Sequence, residues 1–320
     1  MRSAQTSGRA TGMLLLAIAL WAGNVVVTRA IRSEMAPLWM AYWRWQLAGL
    51  VVLPWLGPAL WRARQQLWSQ RGLLLLLAFV GITGNNGCIY LGIVQTSASS
   101  AAALQTFTPV WIALMGHLFF GQRLCGWGWA GVTLSIIGGL VIAGQGALPF
   151  ASGAGFGVGE AWILLGSLLW ALYTLLMARL SPTLDRKLGL AVQMLAGATL
   201  LLPLAWYAAP PVGSPVFSWT VVAALAFMGI FASALAYDCY GRAVDVLGST
   251  VAGNYMNLLP AFSSFFSFLF LGETLAPFHL AGFALIAAGL LLVSGQGPRL
   301  AEGMRIWLAL LTPQAHIRFR

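Results

Sequence analysis

Apolar runs about twenty residues long recur along this chain from residue 11 to residue 296, and no other feature narrows its folding so far. A helix that crosses lipid takes about 20 mostly apolar residues. The runs lie at 11–31, 36–57, 72–94, 98–120, 127–145, 159–179, 188–208, 218–238, 247–271 and 277–296. They are continuous rather than alternating, which excludes a membrane β-barrel. Only 8% of the residues are charged, against about a quarter in a soluble domain. Such a chain cannot cover itself with polar groups in water. We expect an all-α membrane protein with ten transmembrane helices, and the lipid bilayer as its first partner. Arg2 and Arg9 ahead of MLLLAIALWAG imitate a signal peptide. No clear small-x-small cleavage site follows and the apolar pattern continues to Val27, so the segment reads as the first span.

The basic residues orient these spans. With the N-terminus in the cytoplasm, 14 of the 17 Lys and Arg fall on the cytoplasmic side, and only Arg29 and Arg32 on the other. That asymmetry supports both the ten spans and two cytoplasmic ends. It also accounts for the net charge of +10, so no nucleic-acid partner is expected. The segments then place the chain as a multi-pass protein of the inner (cytoplasmic) membrane. Trp55, Trp61, Trp127, Trp129, Trp206 and Trp219 lie near span ends, as an interfacial belt requires. Cys88, Cys125 and Cys239 match no zinc or disulfide spacing and read as small hydrophobes. The tail beyond Gly297 is basic, and its apolar patch Ile306–Leu311 suits the membrane surface.

The chain also repeats itself. Phe107 to Leu124 reads FTPVWIALMGHLFFGQRL, and Leu259 to Leu275 reads LPAFSSFFSFLFLGETL. Aligning Pro109 with Pro260 also pairs Gly121 with Gly272, Gln122 with Glu273, Gly131 with Gly282 and Gly138 with Gly289. Upstream, Tyr90 meets Tyr240 after a one-residue gap, and Trp21 and Trp170 sit near the middle of the first span of each half. The division is a first five-helix repeat at 1–145, a glycine-rich linker at 146–158, a second repeat at 159–296 and a basic cytoplasmic tail at 297–320. Five is an odd number of crossings, so the second copy must lie inverted. Two inverted five-helix repeats offer a midplane site and two related states, each open to one side.

These residues resemble the drug/metabolite transporter superfamily and, within it, the ten-helix EamA-type exporters. The likeness rests on FGQRL and LGETL after their prolines, on the two five-span halves and on an arginine in span two, and it covers about residues 11–296. It implies a secondary carrier with cytoplasmic termini, of a kind that often exports amino acids or other small metabolites. The first half departs from the family pattern with Gln122 where a glutamate is common.

Arg44 stands in YWRWQ about seven residues into span two, about 10 Å deep at 1.5 Å per residue. A charge there is costly, and a substrate carboxylate, carbonyls of a neighbouring helix or an outward-reaching conformation would each offset it. GITGNNGCIY, with Asn85, Asn86 and Tyr90, is the least helix-prone stretch in any span. It reads as a hinge or partly unwound lining of the pathway, or as close glycine packing with a bonded asparagine. The second half answers with ALAYDCY, which holds Tyr237 and in which Asp238 is set to pair with Arg242. Thr250, Asn254 and Asn257 share a face of span nine, and Gln105 lies in its partner, span four. Trp21 and Asn24 share a face of span one, while Trp170 and Tyr173 cluster on span six. Interhelical packing explains any one of these. As a set, Trp21, Asn24, Arg44, Asn85, Asn86, Tyr90, Gln105, Trp170, Tyr173, Tyr237, Asn254 and Asn257 outline a substrate-binding cavity. Glu273 precedes Pro277 at the start of span ten. It is either a helix N-terminal carboxylate or a coupling group for protons.

No HExxH, GxSxG, Walker or paired-cysteine motif is present, so neither an enzyme nor a cofactor or metal site is expected. The reading is a secondary transporter exporting small organic metabolites, amino acids or similar amphipathic solutes, by alternating access. The alternative is a lipid-handling flippase of the same architecture, with a groove open sideways to lipid.

Overall fold

The computed structural model describes residues 2–31, 33–93, 95, 104–122, 124–143, 157–207, 218–272 and 276–293, which form helices and the turns between them. Most of the 146–158 linker, the whole 297–320 tail, Ser99 and Glu273 lie outside the described residues. In chain order the helices are α1 (Arg2–Ala30), α2 (Pro37–Arg62), α3 (Arg64–Ser69), α4 (Arg71–Ile93), α5 (Thr108–Phe120) and α6 (Gly126–Ala143). The second half holds α7 (Val158–Met177), α8 (Arg186–Tyr207), α9 (Trp219–Leu247), α10 (Ser249–Tyr255), α11 (Leu258–Leu271) and α12 (Pro277–Leu291). Thr6–Thr28 of α1, and α4, α7, α8 and α9, are long and apolar enough to cross a membrane. α5, α12 and Gly126–Ile142 of α6 are shorter apolar helices. Trp55, Trp61, Trp206 and Trp219 are all exposed, as interfacial residues should be.

The repeated proline and glycine have a backbone explanation. Proline lacks an N–H and cannot donate to the helix ladder. Ahead of Pro260 the chain tightens, with Met256 N–H bonding Gly253 O at 3.0 Å and Asn257 N–H bonding Asn254 O at 3.2 Å. This breaks the run at 247–271 into α10 and α11. Ahead of Pro109, Phe107 N–H bonds Leu104 O at 3.2 Å in the same way. Both segments then end on a left-handed glycine, Gly121 at φ 65° and Gly272 at φ 69°. Span eight is longer than its sequence suggests. Asp238 pairs with Arg242 one turn on at 2.9 Å, and α9 continues to Gly248 at φ 83°.

The third long helix of each half carries a widened π-helical stretch, Ala78–Gly84 in α4 and Phe227–Leu235 in α9. The glycine-asparagine stretch is therefore wound more broadly rather than unwound, and Asn85 and Asn86 open the regular helix that follows. Its apolar counterpart in α9 widens equally, although no asparagine marks it.

Helices of the two halves pack crosswise. α1 packs on α9 and α11, and α7 packs on α4 and α5. α2 packs on its counterpart α8, and α6 on its counterpart α12. Glycines bring the last pair into backbone contact. A Cβ on Gly131 would lie 2.6 Å from Gly289 O, and one on Gly138 would lie 2.7 Å from Gly282 O. Residue 131 meets 289 while 138 meets 282, so α6 and α12 run antiparallel. Polar ties at the turns follow the same exchange. Ser218 Oγ donates to Glu34 Oε2 at 2.7 Å, joining the α1–α2 turn to the start of α9. Gln66 Nε2 donates to Thr183 Oγ1 at 2.8 Å, joining α3 to the α7–α8 turn.

Candidate solute site

Trp21 of α1 and Trp170 of α7 meet at the centre of the main core, ring centroids 5.3 Å apart and nearly perpendicular. Tyr237 of α9 sits edge-on to both, at 5.5 and 5.4 Å, and to Trp45 at 4.7 Å. Tyr173 and Tyr240 complete the cluster. Edge-to-face contacts suit the ring quadrupoles, negative on the face and positive at the edge. The two π-helical stretches position these rings. Trp21 Nε1 donates to Ala232 O within the α9 stretch at 2.9 Å. In the α4 stretch, Gly81 leaves room for the Tyr173 ring, which any side chain there would strike. Tyr237 Oη lies 3.5 Å from Gly81 O, and Tyr240 Oη lies 3.1 Å from Thr174 Oγ1. Trp21, Trp170, Tyr173 and Tyr237 thus converge as the sequence proposes, and Tyr90 packs against the same core. Trp45 and Tyr240 were missing from the proposed set. The alignment of Tyr240 with Tyr90 was the available signal for one, and nothing in a single sequence marks Trp45.

Arg44 is 5% exposed. A central arginine costs about 2.5–3.5 kcal/mol on insertion scales. Its Nη2 donates to Asn86 Oδ1 at 3.2 Å, and Asn86 Nδ2 in turn donates to Ile82 O at 2.6 Å. The guanidinium also lies 5.0 Å from the centroid of the Trp45 ring. Its Nε has no hydrogen-bond partner, and no carboxylate pairs with Arg44 among the described residues. Across the aromatic cluster, Tyr173, Met177, Arg186, Leu190, Gln193 and Tyr237 are among the residues lining a narrow cleft of about 10 Å³. Gln193 is 2% exposed, with its Oε1 unpartnered. At the cleft, Arg186 forms an ion pair with Asp245.

Other proposed residues are engaged in joining helices. Asn85 Nδ2 donates to Gly166 O at 2.9 Å and fastens α4 to α7. Asn254 Nδ2 reaches Ser135 Oγ of α6 at 3.2 Å, which leaves its Oδ1 unpartnered. Asn257 is buried with a free Nδ2, and Asn24 has a buried, unpartnered Oδ1. Gln105 is half-buried, and its carbonyl accepts from Thr108 Oγ1 at 2.7 Å. Gln122 binds the start of α10, donating to Ser249 Oγ at 2.9 Å and accepting from Thr250 Oγ1 at 3.0 Å. Buried polar atoms without partners are rare in folded proteins. Here they occur on α1, α2, α7, α8, α9 and α10 and in the turn after α10.

The chain is similar to proteins named as transporters rather than enzymes. An "uncharacterized transporter" of Archaeoglobus fulgidus is 28% identical over 89% of this chain and 96% of its own. A "probable terminal-alkyne amino-acid exporter" of Streptantibioticus cattleyicolor is 29% identical over 69% of this chain and 73% of its own. An "S-adenosylmethionine/S-adenosylhomocysteine transporter" of Chlamydia trachomatis is 23% identical over 88% of each. A solved structure titled only "crystal structure of protein" shares the fold, with a TM-score of 0.71 at 19% identity over 89% of this chain and 96% of that one. The EamA-like transporter family model matches residues 9–144 and again 157–295. A multi-pass membrane protein built of two such repeats, this chain belongs to the EamA-like transporter family.

Proposed function

We propose that the protein is a secondary transporter that exports small organic solutes, amino acids or similar amphipathic metabolites, by alternating access. In this reading the chain crosses the inner membrane ten times with both termini in the cytoplasm, and its two repeats lie inverted about an axis in the membrane plane. The observation that carries it is the crossing of α6 and α12, where Gly131 meets Gly289 and Gly138 meets Gly282. Equivalent helices of two like-oriented repeats would run parallel. These run antiparallel, and the contact maps onto itself when the halves are exchanged. Two repeats so related have two equivalent ways to rock against each other, one opening each face. The central aromatic cluster and the unpartnered amides supply apolar faces and directional polar groups, which suits an amphipathic solute.

Counterflow in proteoliposomes tests this reading. A panel of amino acids should show saturable exchange of internal unlabelled for external labelled solute. Movement of labelled lipid headgroups without solute exchange would replace the carrier with a flippase. Labelling of single cysteines placed at each end should put both on the cytoplasmic face, and ends on opposite faces would end the inverted ten-span arrangement.

A further inference from the structure

We propose that Arg44 is the anion anchor of the solute path and holds the single carboxylate of an amphipathic solute whose apolar part lies on the neighbouring aromatic cluster. This deepens the carrier reading and rests on it. Arginine buried for structure alone fills its donors with carbonyls or carboxylates. Arg44 is 5% exposed, yet it makes one bond to a neutral amide and leaves Nε without a partner. The repeat supplies a second argument. Trp21 and Trp170 are 149 residues apart, as are Pro54 and Pro203 and the starts of α2 and α8. The same offset sets Arg44 against Gln193, which is equally buried and also has a free polar atom. The scaffold therefore accepts a long neutral polar side chain at this place in the helix. The positive charge in the first half is an addition to the fold's needs and breaks the symmetry of the path.

The surroundings define the ligand. Trp45 lies beneath the guanidinium and touches Tyr237, which extends the contact into the Trp21–Trp170 pair. These rings are buried in this structure, so a flat or branched apolar group would pack on them where the halves part. One cation with an asparagine beside it matches a monoanion. The fork of the guanidinium favours a planar carboxylate, and a doubly charged phosphate would leave one charge uncompensated.

Thermal unfolding of the purified full chain in detergent reads binding directly. The probes are L-phenylalanine, L-leucine, 3-phenylpropanoate, L-phenylalanine amide and inorganic phosphate. The carboxylates should raise the melting temperature, and the amide and phosphate should not. Arg44→Gln should weaken the carboxylates about tenfold or more, and Arg44→Lys should keep part of the effect. The unliganded melt of each variant reports its fold. If Arg44→Gln does not fold, Arg44→Lys carries the test through a selective loss of carboxylate affinity. Equal stabilisation by acid and amide, unchanged carboxylate binding in both variants, or no binding of any carboxylate would each overturn the anchor. Counterflow separates the two readings. Carboxylate binding without exchange rejects the carrier and keeps the anchor, and exchange of uncharged solutes without carboxylate binding does the reverse.

Discussion

Gly138→Ala is the smallest change that probes how the two halves are joined. The added methyl would lie 2.7 Å from Gly282 O, 2.8 Å from Ile286 Cγ1 and 2.9 Å from Ile286 N. Two of those three atoms are backbone, so no rotamer change can relieve the clash. Ordinary contact begins at about 3.5 Å, so α12 must withdraw by about 0.8 Å. That withdrawal also loosens the equivalent contact of Gly131 with Gly289. Overpacking of this kind costs about 1–3 kcal/mol, or roughly 5- to 140-fold in the folding equilibrium. The assay is reversible unfolding in mixed micelles titrated with dodecyl sulfate, followed by tryptophan fluorescence. Gly12→Ala on α1 is the control, because a Cβ there meets nothing within 4 Å. In a helix interior alanine is favoured over glycine by about 0.5–1 kcal/mol. One substitution should therefore lower the midpoint and the same substitution elsewhere should raise it. If Gly138→Ala behaves as Gly12→Ala does, the close crossing is absent and the inverted arrangement loses its chief support.

The direction of that crossing is open to a chemical test. In a cysteine-free background, Gly131→Cys with Gly289→Cys should form a disulfide, seen on a gel after cleavage in the 146–158 linker. Gly131→Cys with Gly282→Cys should not, because seven helical residues separate the sites by about 10 Å, and the reverse result would mean parallel helices. Asn85→Ala removes the bond to Gly166 O. It should cost about 0.6–1.7 kcal/mol in the same unfolding titration and leave carboxylate affinity unchanged, whereas a change in affinity without a change in stability would place Asn85 on the solute.

Much of this arrangement is legible in the sequence because lipid imposes strict rules. Apolar run length marks an all-helical membrane chain, although the run at 247–271 divides into two helices, and Pro109, Pro260, Gly121 and Gly272 mark where the backbone tightens and where it ends. Trp21 and Trp170 were found because a repeated tryptophan in mid-span stands out against leucine and alanine. Other features leave weaker marks. The π-helical stretch in α9 has only Ser233 as a polar residue, bonded within the stretch to Met228 O, since widening a helix depends on the neighbour it fits. Asparagine in an apolar run means only that a polar partner exists. Asn85 finds a backbone carbonyl in α7, Asn86 finds Arg44, and Asn254 finds Ser135. Nothing along the chain distinguishes a helix fastener from a group that faces a solute.

In the proposed alternating-access carrier, the repeat that would provide two states also explains why they need not be equal. With identical halves, the state open to one side would mirror the other and have the same free energy. The departures from identity then set the balance. Arg186 at the start of α8 pairs with Asp245 near the end of α9, whereas α2 starts with Pro37, which can make no such pair. This pair is partly exposed, and such pairs are worth about 0–1 kcal/mol, a bias of no more than about fivefold between the states. A bias so small does not lock the carrier, and differential binding of a solute can reverse it. Arg44 against Gln193 is another departure, and on the proposed anchor it would lie in the path rather than at its end. In the proposed carrier, the Arg186–Asp245 pair therefore acts on which state the empty protein prefers, while the buried guanidinium of the proposed anchor acts on which solute moves it.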